Sequence, residues 1–231
     1  MAGGATAKKL GVRIFRSLVP YGQAQSLQTA IHCARKNAFV PDTLLILQHP
    51  SVVTVGKRAE VGLKSIKTDE ATLKELKCDV FKSDRGGDVT YHGPGQLVAY
   101  PILDLKPNRK DLHRYLRDLE TVLIGAAADY GIEAERDEAG TGVWTAAGKL
   151  AAIGIRVSSG WITSHGIALN VNTELQYFDT IVPCGISDRA VTSLERELGF
   201  SPPLSEVGDT LIRNFCTVFG HGYPDGQTVT S

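Results

Sequence analysis

The spacing of apolar residues along the chain alternates between a helical period and a strand period. Apolar residues recur at helical spacing near Tyr21–Asn37, and again from Asp111 towards Gly131, which is a plausible end for that helix. In the second of these segments the apolar positions are Leu112, Tyr115, Leu116, Leu119, Val122 and Leu123. Two further helices are predicted near Asp69–Lys77 and Ser205–Phe219. The pattern therefore predicts four helices.

Shorter runs of β-branched and aliphatic residues predict strands between these helices. They are Val12–Arg16, Leu44–Leu47, Val52–Val55, Val80–Ser83, Leu97–Leu103, Leu150–Val157 and Ile167–Val171. The dipeptide formed by His49 and Pro50 separates two of the runs and predicts a turn. Because helices and strands do not alternate in regular βαβ units, we expect an α/β fold of the α+β type, with a mixed β-sheet flanked by helices.

The composition is that of one compact domain. The chain has 231 residues, of which 42% are hydrophobic, and no Pro/Gly/Ser-rich linker divides it. We expect a single domain over residues 1–231, with disordered ends at roughly 1–11 and 222–231. Lys and Arg together equal Asp and Glu at 25 each, so charge gives no argument for nucleic acid or an anionic membrane as partner. There is also no apolar run long enough to predict a transmembrane helix.

The N-terminal stretch is basic and contains no acidic residue before Asp42. Its charged residues are Lys8, Lys9, Arg13, Arg16, Arg35 and Lys36. This composition is typical of a mitochondrial presequence, which favours the mitochondrial matrix as the location. The alternative is that the same residues already form a strand and a helix of the fold, in a protein of the bacterial cytoplasm.

The four cysteines are widely separated. Cys33, Cys78, Cys184 and Cys216 form no CxxC pair, which disfavours a zinc knuckle or a thioredoxin-type site. Nothing resembles a secretory signal, so free thiols in a reducing compartment are expected. Cys184 differs from the others because it lies between a proline and a glycine, in a turn that leaves its sulfur accessible. The other three fall in or beside predicted helices and strands, and we interpret them as packing or surface residues.

A glycine-rich segment, RGGDVTYHGPGQ, runs from Arg85 to Gln96. Glycine allows positive φ and close approach of the backbone to a ligand. The segment matches neither GxxxxGK[ST] nor a GxGxxG that opens a helix, so a nucleotide phosphate loop is not predicted. A long turn between two strands is the simplest interpretation. Arg85 and His92 have no evident role in such a turn, which favours a cradle for a reactive group.

Lys149 stands directly before the apolar run Leu150–Ile153. A lysine in this position is often only an edge charge whose amine reaches water. The functional alternative is a partly desolvated amine that can accept a proton.

Five strings in order along the chain resemble the octanoyltransferases of protein lipoylation, the lipoyl(octanoyl) transferases. They are QHPSVVTVGKR, RGGDVTYHGPGQLVAYP, GVWTAAGKLAAIG, SHGIALNVN and PCGISDRAVTSL. Each string alone is weak evidence, but the ordered set covers most of the chain and is specific. The resemblance implies the fold of the biotin and lipoate protein ligases, which agrees with the mixed sheet expected above.

The resemblance also implies roles for individual residues. In that family the cysteine of the PCG turn carries the acyl group as a thioester, and a lysine before the AIG strand lowers the cysteine pKa and acts as acid and base. These roles fall on Cys184 and Lys149. The implied substrate pocket consists of Arg85, Gly86, Gly87, Asp88, Val89, Thr90, Tyr91, His92, Ala152, Ile153, Gly154, Gly166, Ile167 and Ala168.

The implied reaction moves an octanoyl group from octanoyl-acyl carrier protein, through a Cys184 thioester, to the lysine amine of a lipoyl domain. Such domains belong to 2-oxoacid dehydrogenases and to the glycine cleavage H protein. Because the acyl group arrives as a thioester on a phosphopantetheine arm and leaves as a more stable amide, neither ATP nor a metal is expected. Nucleic acid and membrane are not expected as partners.

Three alternatives remain open on the sequence. An ATP-dependent lipoate or biotin protein ligase shares the fold but needs no cysteine nucleophile. A non-catalytic module could bind acyl carrier protein without forming a covalent adduct. A metal site could be built from Cys184, His92 and His165, although no ligand spacing in the sequence supports it.

Overall fold

An eight-stranded mixed sheet forms the centre of the fold. The structure is a computed structural model, and it describes residues 8–57, 68–107, 109–137, 140–181, 190–224 and 228–230. The strands of this sheet are β1 (Leu10–Leu18), β2 (Asp42–Gln48), β6 (Gln96–Ile102), β7 (Glu135–Asp137), β8 (Gly140–Thr145), β9 (Gly148–Val157), β10 (Thr163–Asn170) and β11 (Thr228–Thr230). Their order is β11-β1-β2-β6-β10-β9-β8-β7. β1 runs parallel to β2 and β11, and all other neighbours are antiparallel, as expected for a mixed sheet.

A second, three-stranded sheet is formed by residues between β2 and β6. Its strands are β3 (Val52–Val55), β4 (Asp79–Lys82) and β5 (Val89–His92), in the order β4-β3-β5. β3 pairs parallel with β4 and antiparallel with β5. The turn predicted at His49 and Pro50 is therefore the point at which the chain leaves one sheet for the other.

Helices cover both faces of the large sheet. The described α-helices are α1 (Tyr21–Lys36), α2 (Glu70–Glu75), α3 (Leu112–Ala128), α4 (Leu194–Leu198) and α5 (Leu204–Phe219), with a 3₁₀ helix at Leu175–Thr180. α1 packs on β6 and β10, whereas α3 packs against α5 and the strands β8 and β9. Strand β2 is buried along almost its whole length, which explains its continuous apolar run. No helix among the described residues combines the length and apolar character needed to cross a membrane.

Local sequence signals account for the start of α3. Asp111 is its N-cap, and its carboxylate accepts a hydrogen bond from the backbone N–H of Arg114 at 3.1 Å. Gly131, three residues beyond the helix, has the left-handed conformation expected after a helix end. The periodicity and the capping residue together place this helix correctly from sequence.

Three expectations need correction. The segment Arg85–Gln96 is not one long loop, because Val89–His92 forms strand β5. Disorder was expected at roughly residues 1–11 and 222–231. Instead, β1 begins at Leu10, and residues 228–230 form a strand that pairs in parallel with β1. The glycines and the proline around β5 concealed its short pattern, and pairing of the chain ends is a long-range contact that local sequence does not encode.

The basic N-terminal stretch has a structural place in the fold. Arg13 and Arg16 lie in β1, and Arg35 and Lys36 lie in the last turn of α1. The Arg35 guanidinium contacts the Asp42 carboxylate at 2.7 Å. These positions agree with the second interpretation of the stretch, in which its charges belong to a strand and a helix.

Candidate active site

One cavity joins most of the residues that the sequence predicts for a pocket. It measures about 760 Å³, including its open mouth, and lies between the α1 face of the large sheet and the small sheet. Strands β5, β6, β9 and β10 supply most of its lining, together with Tyr21 of α1, Phe178 of the 3₁₀ helix and Val191. Its size and its mainly apolar wall are those of a small-molecule site.

Twelve of the predicted residues line this cavity. They are Arg85, Gly87, Val89, Thr90, His92, Lys149, Ala152, Ile153, Gly154, Gly166, Ile167 and Ala168. Gly86, Asp88 and Tyr91 do not. Gly86 donates its N–H to the Ile155 carbonyl at 2.8 Å, and the Asp88 carbonyl accepts from Gly56 N–H at 2.9 Å.

Tyr91 is turned away from the cavity. Its ring stacks on Tyr177 with centroids 4.9 Å apart, and its hydroxyl lies 3.1 Å from the hydroxyl of Ser51. His92, the next residue of strand β5, lines the cavity. Successive side chains of a strand point to opposite faces, so these two neighbours have different surroundings.

Arg85 is held inside the protein by neutral oxygen atoms. Its Nη2 donates to the carbonyl oxygens of Thr54 at 2.6 Å and Asp88 at 2.8 Å, and its Nε donates to the Thr54 hydroxyl at 3.1 Å. Its Nη1 donates to the Gly86 carbonyl at 2.9 Å. The side chain thus ties the glycine-rich segment to β3, which gives it the structural role that the sequence did not reveal.

Histidine and tyrosine side chains around the cavity are buried and kept neutral. His49 Nδ1 donates to the Val19 carbonyl at 2.6 Å, so its Nε2 accepts from the Tyr100 hydroxyl at 2.7 Å. Burial lowers the pKa of His49 to about 4. Burial, and next the charge of a protonated His49, lower the pKa of His92 well below its usual value. Burial also raises the pKa of Tyr100 well above 10.0.

His165 stands at one end of the cavity. Its Nε2 lies 2.7 Å from the Asp84 carboxylate, and its backbone N–H donates to the Gln28 side-chain oxygen at 2.7 Å. Burial lowers the pKa of His165, and the hydrogen bond and charge of Asp84 oppose this shift. The mainly apolar wall of the cavity suits an uncharged aliphatic ligand.

Lys149 lies at the opposite end, on strand β9. Its side chain is buried, with 8% of the residue exposed, and its Nζ sits 5.1 Å from the centre of the Trp144 ring. Its backbone N–H donates to the Ala190 carbonyl at 2.9 Å, and its carbonyl accepts from Thr192 N–H at 3.0 Å. The interpretation of Lys149 as an edge charge whose amine reaches water is therefore wrong.

Two glycines make room for this arrangement. Both Gly142 and Gly148 have φ of +141°, a region that favours glycine. A Cβ atom at Gly142 would lie 2.7 Å from Lys149 Cε, and one at Gly148 would lie 2.4 Å from the Ala190 carbonyl oxygen. Gly142 thus leaves space for the lysine side chain, and Gly148 lets residues 190–192 approach the backbone of Lys149.

A chain of side-chain hydrogen bonds links the glycine-rich segment to residues 190–192. His92 Nδ1 donates to Gln96 Oε1 at 2.7 Å, and Gln96 Nε2 donates to Asn170 Oδ1 at 2.9 Å. Asn170 Nδ2 then donates to the Thr192 carbonyl at 3.0 Å. His92 therefore orients a polar network as well as lining the cavity.

Cys184 lies outside the residues that the structure describes. Of the other cysteines, Cys78 and Cys216 are buried, and burial raises the pKa of both thiols, that of Cys78 to about 11. Cys33 is exposed on α1 and does not line the cavity. None of these three is placed to react with a ligand in the cavity, in agreement with their interpretation from sequence.

Several residues that line the cavity were not selected from the sequence. They are Tyr21, Gln96, Val98, Tyr100, Ala151, His165, Asn170, Phe178 and Val191. Gln96, His165 and Asn170 lie in or next to the recognised strings, so proximity to those strings was a usable signal. Tyr21 and Phe178 come from distant helices and carried no such signal.

Comparison with known proteins identifies a family model and relatives that are similar to this chain. The family model for the lipoyl protein ligase A/B catalytic domain matches residues 20–216. The chain is 52% identical over 211 residues to an octanoyltransferase of Rubrobacter xylanophilus, covering 91% of this chain and 94% of that protein. It is 46% identical over 203 residues to an octanoyltransferase of Chloroflexus aggregans, covering 87% and 91% respectively.

Solved structures share the fold. A lipoate-protein ligase A bound with ATP superposes with a TM-score of 0.74 at 16% identity, covering 96% of this chain and 90% of that one. A bipartite lipoate protein ligase of Thermoplasma acidophilum, solved with its E2 lipoyl domain, gives a TM-score of 0.72 at 17% identity, covering 96% and 88%. At these identities the likeness establishes the architecture, a mixed α/β sheet flanked by helices.

Proposed function

The chain belongs to the octanoyltransferases of the lipoyl protein ligase A/B family, and from this premise we propose a covalent mechanism in which Cys184 carries the octanoyl group and Lys149 assists. The acyl donor is octanoyl-acyl carrier protein and the acceptor is the lysine amine of a lipoyl domain. The observation that carries the proposal is the buried position of Lys149 in the cavity, bonded through its backbone to the chain that follows Cys184.

The chain on both sides of Cys184 borders the cavity, which supports the choice of nucleophile. Phe178 and Val191 line it, and Ile181 is buried beside Phe178. Cys184 follows Ile181 by three residues, and three residues of chain span at most about 11 Å. This short chain length is compatible with a Cys184 thiol that serves the cavity, whereas the three other cysteines are not placed to serve it.

In the first step the Cys184 thiolate attacks the thioester carbonyl carbon of the octanoyl group. A C–S bond to Cys184 forms, the C–S bond to the phosphopantetheine sulfur breaks, and the released thiolate takes up a proton from the Lys149 ammonium. A nearby ammonium favours the thiolate form of a cysteine. Lys149 is the cation that we assign to this task.

In the second step the amine of the lipoyl-domain lysine attacks the Cys184 thioester. A C–N bond forms and the C–S bond to Cys184 breaks. The attacking amine loses a proton to Lys149, which the first step left as a neutral amine, and this restores the ammonium beside the Cys184 thiolate. The exchange of a thioester for an amide is exergonic, so the proposed reaction requires neither ATP nor a metal. The acceptors would include the lipoyl domains of 2-oxoacid dehydrogenases and the glycine cleavage H protein.

The site of action that we propose is a bacterial cytoplasm. Both relatives described above are bacterial, and they give no support to the mitochondrial expectation. The place of the basic N-terminal residues in β1 and α1 points in the same direction.

The test is a covalent adduct. Incubation with octanoyl-acyl carrier protein should add one octanoyl mass to the enzyme, and hydroxylamine should remove it. Cys184→Ala should gain no adduct, while Cys33→Ala should behave as wild type because that thiol is exposed on α1. An adduct of equal yield on Cys184→Ala, or none on wild type, contradicts the mechanism.

The alternatives predict different results in the same assay. A ligase would modify the lipoyl domain with free octanoate and ATP and would retain this activity in Cys184→Ser. A docking module would bind acyl carrier protein without any mass change. Metal analysis of the purified protein tests the remaining alternative, a site built from Cys184, His92 and His165.

A further inference from the structure

A second cavity lies next to the one described above. It measures about 480 Å³ and is lined by polar side chains: Gln25, Gln28, Thr29, His32, Asp84, Arg156, Ser158, Ser164 and His165. Among the described residues, His165 is the one side chain that lines both cavities. It therefore stands between a mainly apolar space and a polar one.

The two cavities follow one another along the β9–β10 ladder. The first is lined by Lys149 and residues 151–154 of β9, and the second by Arg156 of the same strand. On β10 the boundary falls between Gly166, which lines the first cavity, and Ser164, which lines the second. From Lys149 to Gly154 the strand spans about 17 Å. Lys149 and His165 thus occupy opposite ends of the first cavity.

Several contacts fix His165 in this position. Its φ of 58° lies in the left-handed region, which is uncommon for a residue other than glycine. Asp84 and Gln28 hold its ring and its backbone N–H, each at 2.7 Å, and its ring packs edge-on against Tyr100 with centroids 6.2 Å apart. The residue is 3% exposed. A side chain restrained at so many points cannot easily move aside for a ligand.

We propose that His165 is a specificity-determining residue that limits the length of the acyl chain. The proposal rests on the function proposed above, which places the reacting carbonyl near Lys149 and so directs the terminal methyl group along the ladder towards His165. A longer chain would have to displace the ring from Asp84 and then enter a cavity with polar walls. Both requirements select against chains longer than the space between Lys149 and His165 accommodates.

The experiment compares octanoyl-, decanoyl- and dodecanoyl-acyl carrier protein as donors to a lipoyl domain. In wild type, kcat/KM should fall from octanoyl to dodecanoyl. His165→Gly removes the wall and suits the positive φ. It should raise the ratio of kcat/KM for decanoyl over octanoyl by about sixteenfold, since decanoyl has two more methylenes and each newly buried methylene is worth about fourfold. The polar second cavity should prevent a further gain with dodecanoyl.

Two further variants separate selectivity from stability. His165→Asn, whose shorter side chain also tolerates a left-handed conformation, should shift the ratio in the same direction and serves if His165→Gly does not fold. His221→Gly is the matched control, because His221 is another buried histidine paired with an aspartate, Asp42, at 3.1 Å. It should lower the melting temperature and leave the chain-length ratio unchanged.

The outcomes are distinguishable from failure of the proposed function. If wild type transfers no acyl group from any of the three donors, the proposed function is wrong. If wild type transfers octanoyl and dodecanoyl groups equally well, His165 does not limit length. The inference is also overturned if a folded His165→Gly or His165→Asn transfers octanoyl groups but keeps the wild-type ratio.

Discussion

The backbone of Lys149 forms a hydrogen bond with Ala190, from its N–H to the Ala190 carbonyl, at 2.9 Å. Ala190 follows Cys184 by six residues. The same short segment returns a second hydrogen bond to Lys149 through Thr192. The strand that carries the lysine thus also anchors the chain that leads away from the cysteine, so a change in this contact is expected to affect catalysis.

Gly148→Ala should weaken that anchor. A Cβ atom there would lie 2.4 Å from the Ala190 carbonyl oxygen, and the φ of +141° is unfavourable for alanine. We expect the rate of adduct formation from octanoyl-acyl carrier protein to fall by about tenfold or more, since a misplacement of about 1 Å is enough for such a loss.

Gly131→Ala is the matched control for Gly148→Ala. It also has positive φ, +74°, but a Cβ atom there would meet nothing within 4 Å. Both variants should lose some stability in urea unfolding, and only Gly148→Ala should slow the adduct. Equal rates of adduct formation in the two variants would show that the contact between residue 148 and Ala190 does not affect catalysis.

Lys149→Ala should slow both half-reactions. Loss of a positioned acid and base typically reduces a rate by about 10²–10⁴-fold, which can be measured by mass spectrometry of the adduct and of the lipoyl domain. Lys149→Arg keeps the charge but cannot release its proton. Compared with Lys149→Ala, Lys149→Arg should therefore restore the rate of adduct formation more than the rate of transfer to the lipoyl domain.

The control for the lysine variants is Lys110→Ala. Lys110 also lies over an indole, with its Nζ 5.6 Å from the centre of the Trp161 ring, but it does not line the cavity. Its removal should leave both rates unchanged. Lys149 has no part in the mechanism if Lys149→Ala behaves as Lys110→Ala does.

Asn170→Ala should interrupt the network between Gln96 and Thr192. The variant loses hydrogen bonds of 2.9 Å and 3.0 Å inside the protein, for which we expect a loss of about 1–3 kcal/mol in the free energy of unfolding. Because Thr192 belongs to the anchored segment, kcat should also fall.

Asn214→Ala tests whether that fall in kcat is specific. Asn214 also donates two hydrogen bonds, to Asp129 at 2.9 Å and to Thr210 at 3.0 Å, on helix α5 away from the cavity. It should reduce stability with little effect on kcat. A similar fall in kcat in both variants would indicate that Asn170 acts through stability alone.

Stability should depend on pH through the buried histidines. The pKa of His49 falls from 6.5 to about 4 on folding, so the unfolded chain binds the proton more readily between these values. The contribution of His49 is therefore complete above pH 6.5 and is lost as the pH falls towards 4. The free energy of unfolding should decrease over this range by about 1.4 kcal/mol per pH unit for each such histidine.

His49→Gln should reduce the pH dependence of the free energy of unfolding by about 1.4 kcal/mol per pH unit, which corresponds to about one proton. Urea unfolding from pH 7 to pH 4.5 measures this change. The same measurement on His113→Gln, whose ring is exposed on α3, is the control for losing a histidine. An unchanged slope in His49→Gln would show that His49 does not contribute to the pH dependence.

Local sequence was sufficient to predict several secondary-structure elements and the family of this protein. The cap at Asp111 and the helical period define α3, and the β-branched run Val52–Val55 has the bounds of β3. These features depend on neighbours along the chain, where period, capping and turn residues act directly. The ordered strings identified the family for the same reason, because each string is a continuous segment.

The tertiary structure alone decided which of those residues share a cavity. The register that sets Gly154 opposite Gly166, and the alternation that turns Tyr91 away while His92 faces inward, depend on pairing between distant strands. So does the place of His165 between two cavities, since Gln28 and Asp84 reach it from other parts of the chain. Sequence determined the groups available for chemistry; long-range packing determined their distances and burial.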